Sequence, residues 1–363
     1  MVETSDAFFM SRRDIYYWKC DRPAAFHGSK VGGQADEKIE PQLGDELRRH
    51  FGTQEVWLKP GAGRGNHRTW NADVAGRAMF VRVENGPEGD GHLALESEVL
   101  DRVRSIGVPT PRVWGCDASR QRVAFAWQAL ERIDAPDLNH WFKRGELEVQ
   151  KIAFEIGAAV GRWQGIGLSG FGVLDEGLSG YHESYCDYFQ LRLGEHLAFL
   201  VSHVFLNRGQ SEEMVSAIEE HRSLLALDQG RLVHKDLALW NILGSAQRIE
   251  AFIDFDDVIS GDAMDDLSLL GCFHDAAFVG AALEGYQSER VLPEEWRRRF
   301  WLHLLRNMIV KAVIRLGSGF FDCDDGHFLI AGGSSGREFR EFTQQRLFKA
   351  LQCLRENADI GVL

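Results

Sequence analysis

The stretch Leu232-Val233-His234-Lys235-Asp236-Leu237-Ala238-Leu239-Trp240-Asn241-Ile242-Leu243, followed by Ala251-Phe252-Ile253-Asp254, constrains this chain more than any other feature. Three oxygen-bearing side chains fall within a short length, each next to an apolar run that reads as a short buried strand. Leu232-Val233 and Ile242-Leu243 bracket Asp236, and Ala251-Phe252-Ile253 delivers Asp254 to a strand end. Carboxylates carried on the ends of rigid elements are held in place, as a reactive polar site requires. A lone His-x-Asp, or a lone apolar-Asp, is an ordinary turn or capped strand end. In this order and spacing the three point to one shared site.

Asn241 lies five residues after Asp236, the interval of the pattern H-R-D-x-x-x-x-N in protein kinases. In that arrangement the aspartate accepts the proton of an attacking hydroxyl, while the asparagine and a second aspartate hold magnesium ions that bridge nucleotide phosphates. Asp236 is the expected catalytic base, and Asn241 and Asp254 the expected Mg2+ ligands. With Gly261-Asp262-Ala263-Met264-Asp265-Asp266-Leu267 and Gly107-Val108-Pro109-Thr110-Pro111-Arg112-Val113, these motifs resemble the aminoglycoside phosphotransferase and choline kinase superfamily. The resemblance spans roughly residues 55 to 270, and Gly170-Phe171-Gly172 with the aromatic-rich stretch after it is most similar to the hygromycin-type members. It implies an α+β, two-lobed, protein-kinase-like fold with a small antiparallel-sheet N-lobe, a mainly helical C-lobe and ATP as phosphoryl donor, GTP being left open. Two departures stand out: the family usually has glycine where this chain has Lys235 and proline where it has Ala263. Lys235 either sits beside the transferred phosphate and stabilises developing charge, or pairs with a surface carboxylate.

The N-lobe is expected to begin with Glu55-Val56-Trp57-Leu58, a glycine-rich turn and the alternating strand Ala78 to Val83. Gly61, Gly63 and Gly65 would let backbone amides approach nucleotide phosphates, the alternative being an ordinary flexible hairpin. Arg82 occupies the place of the lysine that contacts α- and β-phosphates in kinases. Its expected partner is Glu96, on a helix whose apolar face is Leu93, Leu95, Val99, Leu100 and Val103; Glu98 competes. A strand over 123–131 should lead into the hinge, where the backbone of Ala129, Leu130 and Glu131 would read the adenine edge. Helices are expected over roughly 146–165, 184–206, 211–226, 264–286, 293–316 and 337–357. Pro293-Glu294-Glu295 should open the fifth and Gly317 close it. The expected division is an N-terminal extension over 1–50 packed on the core, a nucleotide-binding N-lobe over 51–131, and a catalytic and substrate-binding C-lobe over 132–363.

Composition bounds the rest. At 363 residues, 44% hydrophobic and 26% charged, the chain can bury a substantial core. Its six cysteines show no paired CxxC spacing, which favours reduced thiols over disulfides or zinc. The first residues lack a basic segment followed by an apolar core, so a cytoplasmic protein without membrane attachment is expected. A formal charge of −13 disfavours nucleic acid, whose binding relies on Lys and Arg releasing counterions. It suits a cationic substrate, or else merely maintains solubility. Asp257 and Asp262 are the candidate substrate-binding carboxylates, within an acidic cluster that also contains Asp256, Asp265 and Asp266; Asp266 could instead brace the catalytic loop. The expected partner is a small hydroxyl-bearing molecule, aminoglycoside-like or amino-sugar-containing, with a metabolic sugar, nucleoside or amino-alcohol kinase as the alternative. A nucleotide-binding regulatory protein without turnover is a third reading, opposed by the intact Asp236, Asn241 and Asp254. Ile15 to Pro23 is unusually aromatic and is read either as an arm over the core or as a lid lending aromatics to a substrate pocket.

Overall fold

The computed structural model describes residues 11–21, 39–61, 67–84, 89–323 and 335–363. Its first part is a sheet with three helical segments: α1 (Trp18–Asp21), α2 (Ile39–Phe51), β1 (Val56–Pro60), β2 (His67–Val74), β3 (Arg77–Glu84), α3 (His92–Ser105), β4 (Val113–Asp117) and β5 (Trp127–Glu131). The five strands are antiparallel in the order β1-β2-β3-β5-β4. Strand periodicity divides β3 into two faces. Met79, Val81 and Val83 turn one way and bury against Leu43 and Leu47 of α2, with Trp70, Trp127 and Ala129 from the neighbouring strands. Arg82 turns the other way. Gln128 stands directly opposite it in β5, so the face that packs on α3 carries a polar pair in the middle of the sheet.

The remainder is mainly helical: α4 (Leu138–Lys143), α5 (Val149–Trp163), β6 (Phe171–Leu174), β7 (Gly180–His182), α6 (Tyr185–Gln190), α7 (Leu193–Ser202), α8 (Arg208–Glu220), β8 (Arg231–Val233), β9 (Ile242–Ser245), β10 (Arg248–Phe252), β11 (Ile259–Gly261), α9 (Asp265–Leu270), α10 (Ala276–Glu289), α11 (Trp296–Gly317) and α12 (Gly336–Glu356). A sheet-rich antiparallel part followed by a helical remainder is the expected protein-kinase-like architecture. None of the described helices is long and apolar enough to cross a membrane.

Several expected elements are corrected, each for a tertiary reason. The helix over 184–206 is two helices, because Arg192 adopts a left-handed conformation with φ 58° and Arg306 of α11 takes the carbonyls of Phe189 and Leu191 at 3.1 and 2.7 Å. The helix over 264–286 is likewise broken. Asp275 caps α10 by accepting from Phe278 N at 3.0 Å, while Arg346 of α12 reaches the carbonyls of Gly271 and His274, both at 3.1 Å. Orphan carbonyls at helix ends need partners, and distant arginines supply them here. Pro293 precedes α11 rather than opening it, since Glu295 is left-handed with φ 54°. At the other end α11 closes at Gly317, as expected, and Gly319 beyond it takes the left-handed turn, with φ 72°. The strand expected over 123–131 begins only at Trp127.

Helices α5 and α10 approach backbone to backbone. A Cβ at Gly157 would stand 1.8 Å from the Ala282 carbonyl oxygen, and one at Gly285 would stand 1.9 Å from that of Phe154. This seam supports Trp163 at the C-terminal end of α5, which reaches the site described below. Gly157→Ala should therefore lower stability by about 2 kcal/mol through overpacking, despite alanine's better helix propensity. Thermal denaturation against wild type would measure it, and an unchanged or raised melting temperature would refute the close-packed seam.

Candidate active site

Two short strand pairs build the site. β8 ends at Val233, and β11 pairs with it on one side and with β6 on the other. The hairpin β9–β10 lies across from them and ends at Phe252. Between the pairs runs the loop carrying His234, Lys235 and Asp236. Pro109, from the Val-Pro-x-Pro-x-Val segment, accepts Phe252 N at 2.9 Å and fixes the end of β10. Ile253 N donates to the Asn241 carbonyl at 3.0 Å, so Asn241 and Asp254 leave neighbouring backbone positions.

The loop is held from beneath by Asp266 at the start of α9. Its carboxylate accepts His234 N at 2.9 Å, Lys235 N at 3.1 Å and Trp163 Nε1 at 3.3 Å. Burial pushes this carboxyl up to about 6, and the His234 side chain and the two loop amides oppose that rise. His234 closes the arrangement, with Nε2 at 3.0 Å from the Ile253 carbonyl and its ring against Phe255. Asp236 and Asp254 are thus tied to one frame by backbone and imidazole contacts.

Asp236 is buried, and both of its oxygens have donors. Tyr17 Oη donates to Oδ1 at 2.8 Å and Lys311 Nζ to the same oxygen at 3.1 Å. Lys19 Nζ donates to Oδ2, as does Asn241 Nδ2 at 3.0 Å. Burial opposes ionisation, but the ammoniums of Lys19 and Lys311 outweigh it and hold the carboxyl well below the usual range. Asn241 Nδ2 also donates to the Asp236 carbonyl at 2.8 Å. The amide's nitrogen is therefore committed to the loop, and its oxygen is the atom left for a cation.

Asp254 adopts the left-handed conformation, φ 66° and ψ 49°. This turns its carboxylate back toward the sheet, where Arg82 Nη1 stands at 3.4 Å. Arg82 also pairs with Glu96 on α3 and holds Gln128 Oε1 through Nε and Nη2 at 3.1 and 2.7 Å. Glu98 lies on the solvent face of α3, paired with Arg102 at 2.7 Å. Asp256 and Asp257 follow on a short 3-10 turn; both are buried, and burial raises both carboxyls, with Asp254 adding to the effect. Asp256 Oδ1 finds no hydrogen-bond partner among the described residues. Carboxylate and amide oxygens with an uncompensated buried carboxylate beside them form the hard donor set that suits Mg2+. Asn241 and Asp254 could hold such an ion.

The other candidates lie on separate elements. Gly61 follows β1, and its missing side chain lets Thr69 of β2 approach: a Cβ there would meet Thr69 Oγ1 at 2.5 Å. Gly63 and Gly65 lie outside the described residues. Ala129, Leu130 and Glu131, expected to read the adenine edge, are the last residues of β5, which lies between β3 and β4. Asp257 faces the site and stands 3.6 Å from Lys19 Nζ. Asp262 does not: it is buried against Arg299 Nη1 at 2.6 Å, with His303 Nε2 at 3.5 Å. Burial opposes its ionisation, but His303 and Arg299 bring its carboxyl down to about 2.

Neither expectation for Lys235 holds. Its side chain is buried and turned away from Asp236, with Nζ at 2.7 Å from Asp265 Oδ2, 3.0 Å from Tyr16 Oη and 3.2 Å from Asn307 Oδ1. The residue sits at φ 68°, the left-handed region that glycine tolerates more readily. A buried ion pair whose remaining protons are satisfied offsets that strain. Sequence reasoning also missed Tyr17, Lys19 and Lys311 as neighbours of Asp236. A signal existed for Lys311, a lone cation in the apolar run Met308-Ile309-Val310-Lys311-Ala312-Val313. For Tyr17 and Lys19 it was only the aromatic character of the segment. Lys235→Met should cost about 3–5 kcal/mol in denaturant unfolding, because it leaves Asp265 buried without its cation. Lys235→Met with Asp265→Asn should cost less than the sum of the two single changes; strict additivity would show that the pair is not coupled.

Comparisons with known proteins identify the fold and the family. The Phosphotransferase enzyme family matches residues 57–302. Among solved structures, a thermostable mutant of aminoglycoside phosphotransferase APH(4)-Ia, in a ternary complex with AMP-PNP and hygromycin B, is 18% identical. That alignment covers 86% of this chain and 98% of that one, with a TM-score of 0.59. A Haemophilus somnus 129PT protein described as a fructosamine-3-kinase is 15% identical over 85% of this chain and 96% of its own, with a TM-score of 0.58. The streptomycin–ATP–APH(2")-IIa complex is 16% identical over 89% and 97%, with a TM-score of 0.53. At these identities the likeness is one of fold. No curated protein matches the sequence. The match over 57–302 takes in the Asp236 loop, Asp254 and the Arg82–Glu96 pair, and it places the chain in the Phosphotransferase enzyme family, as a small-molecule kinase with a hydroxyl acceptor.

Proposed function

We propose that this kinase uses ATP with Mg2+ to phosphorylate a hydroxyl of a small polar molecule, and that an aminoglycoside-like or amino-sugar-containing compound is the first class to test. One observation carries the catalytic part: Asp236, Asn241 and Asp254 share one braced frame, and Arg82, paired with Glu96, faces Asp254 across it. Asp236 accepts the acceptor's hydroxyl proton as that oxygen bonds to the terminal phosphorus and the bond from phosphorus to the ADP oxygen breaks. Arg82 lies where it can reach the remaining phosphates, and Asn241 and Asp254 would hold Mg2+, which supplies charge neutralisation when bound. Such a transfer has a loose transition state, so positioning and electrostatics matter more than the basicity of Asp236. A carboxylate held well below its usual range can still orient the hydroxyl.

The substrate class draws support from relatives of the same fold crystallised with hygromycin B and streptomycin, and from the net charge of −13. A specific observation favours the second reading, a metabolic sugar, nucleoside or amino-alcohol kinase. Asp262, Asp265 and Asp266 are committed to internal partners, and two lysines stand beside Asp236. Asp257 alone of the two proposed substrate carboxylates faces the site. Fold does not decide between these classes.

Mg2+-dependent ADP release should be measured with purified protein against aminoglycosides, sugars, nucleosides and amino alcohols. An acceptor that is phosphorylated by wild type should lose at least about 100-fold in kcat with Asp236→Asn, while ATP affinity is retained. Turnover unchanged in Asp236→Asn would reject the catalytic assignment, and a hit confined to sugars or amino alcohols would decide for the second reading.

A further inference from the structure

The segment over 11–21 lies outside the part of the chain matched by the family, yet it is built into the catalytic site. Its anchoring is extensive. Asp21 folds the turn by accepting Tyr16 N and Tyr17 N at 2.9 and 3.0 Å. The other Asp21 oxygen holds His196 Nε2 at 2.6 Å, and Arg306 Nη1 stands 3.1 Å from His196 Nδ1. The Arg306 guanidinium then lies over the Tyr16 ring at 3.6 Å, and Tyr16 stacks on Tyr188. The group of half-buried Cys20 with buried Asp21 and His196 could by its geometry hold a metal, but the Asp–His–Arg chain already satisfies it.

A segment fixed in this way delivers Lys19 as a standing part of the site. The Lys19 ammonium lies between Asp236 and Asp257, two carboxylates that are buried while its own side chain is 30% exposed. It is therefore the member of this cluster most open to solvent. An incoming acceptor hydroxyl needs an oxygen of Asp236, and both already have donors. Asn241 is tied to the loop backbone, Tyr17 is fixed in the core, and Lys311 projects from the middle of α11 with its side chain 10% exposed. Lys19 is the most exposed of the four, and it has a second carboxylate within reach along which to move.

Other cations of the site have fixed roles. Lys235 belongs to Asp265, and Arg82 is held by Glu96 and Gln128. From this placement, and resting on the kinase reading above, we infer that Lys19 is a catalytic residue: it releases Asp236 to the acceptor hydroxyl and binds the terminal phosphoryl group of the nucleotide, stabilising the charge that develops there during transfer. An ammonium placed at developing charge in a closed site lowers the barrier more than it strengthens ground-state binding.

The test needs no known acceptor. Binding of AMP-PNP and of ADP, each with Mg2+, should be compared by calorimetry in wild type, Lys19→Met, Lys19→Gln and Lys19→Arg. Lys19→Met and Lys19→Gln should each bind AMP-PNP about 10-fold more weakly, with ADP affinity unchanged and Lys19→Arg recovering part of the loss. Equal weakening for both nucleotides would overturn the inference in favour of a structural role. Tighter AMP-PNP binding would overturn it in favour of a plug over Asp236, and no change for either nucleotide would also overturn it. Wild-type protein that binds neither nucleotide would defeat the kinase reading itself, and this inference with it. Once an acceptor is found, Lys19→Met should lower kcat about 100-fold with little change in the acceptor's KM; a raised kcat would point to the plug.

Discussion

The Asp266 carboxylate is the point on which the catalytic geometry depends. It gathers two consecutive backbone amides of the loop and the Trp163 indole, so it fixes the direction in which Asp236 leaves the backbone. A buried carboxylate is tolerated only when its oxygens are satisfied, and donors from a loop and a helix make the placement reciprocal: Asp266 orders the loop, and the loop makes Asp266 tolerable. The close helix seam at Gly157 and Gly285 matters for the same reason, since it sets where Trp163 stands. Asp254 is joined to the frame by His234 and the Asn241 backbone rather than by its own side chain.

A second buried network, centred on Lys235 and Arg306, carries the N-terminal segment. Lys235 replaces the usual small residue at a left-handed position, and its ammonium joins Tyr16 to Asp265 and Asn307. Arg306 works at two scales: it caps the chain at Phe189 and Leu191, ending α6, and it lies over Tyr16. The helix break and the docking of the segment therefore share one cation. This local frame differs from a bare phosphotransfer loop because the atoms nearest Asp236 include a phenol and two ammoniums from outside the motif.

Much of the fold was legible in the sequence. Apolar runs beside Asp236 and Asp254 marked the short strands, and the alternation through Met79, Val81 and Val83 marked β3 and put Arg82 on its opposite face. Resemblance to the family's Glu-x-x-Val-Leu pattern favoured Glu96 over Glu98, and Glu96 is the residue that pairs with Arg82. Helix boundaries were less legible. The breaks near Arg192 and between Gly271 and Asp275 come from arginines far along the chain, and no local pattern reports a partner that arrives from another helix. The start of β5 was illegible for a related reason: where a strand begins is decided by the strands that flank it, and β3 and β4 pair with β5 only from Trp127 onward.

Local chemistry and spacing, by themselves, pointed to Asp236, Asn241 and Asp254 as one shared site, because side-chain type and sequence interval are properties of the chain alone. Tertiary structure decided what surrounds them. Asp262 and Asp257 look alike as acidic residues of one cluster, but Arg299 and His303 neutralise the first while the second faces Lys19. Lys235 and Lys19 are both lysines near a tyrosine in space, yet one is a buried anchor and the other opens onto the site. The physical reason is that charge acts through distance and burial, and contacts between residues 17 and 236 or 19 and 257 exist only once the chain has folded.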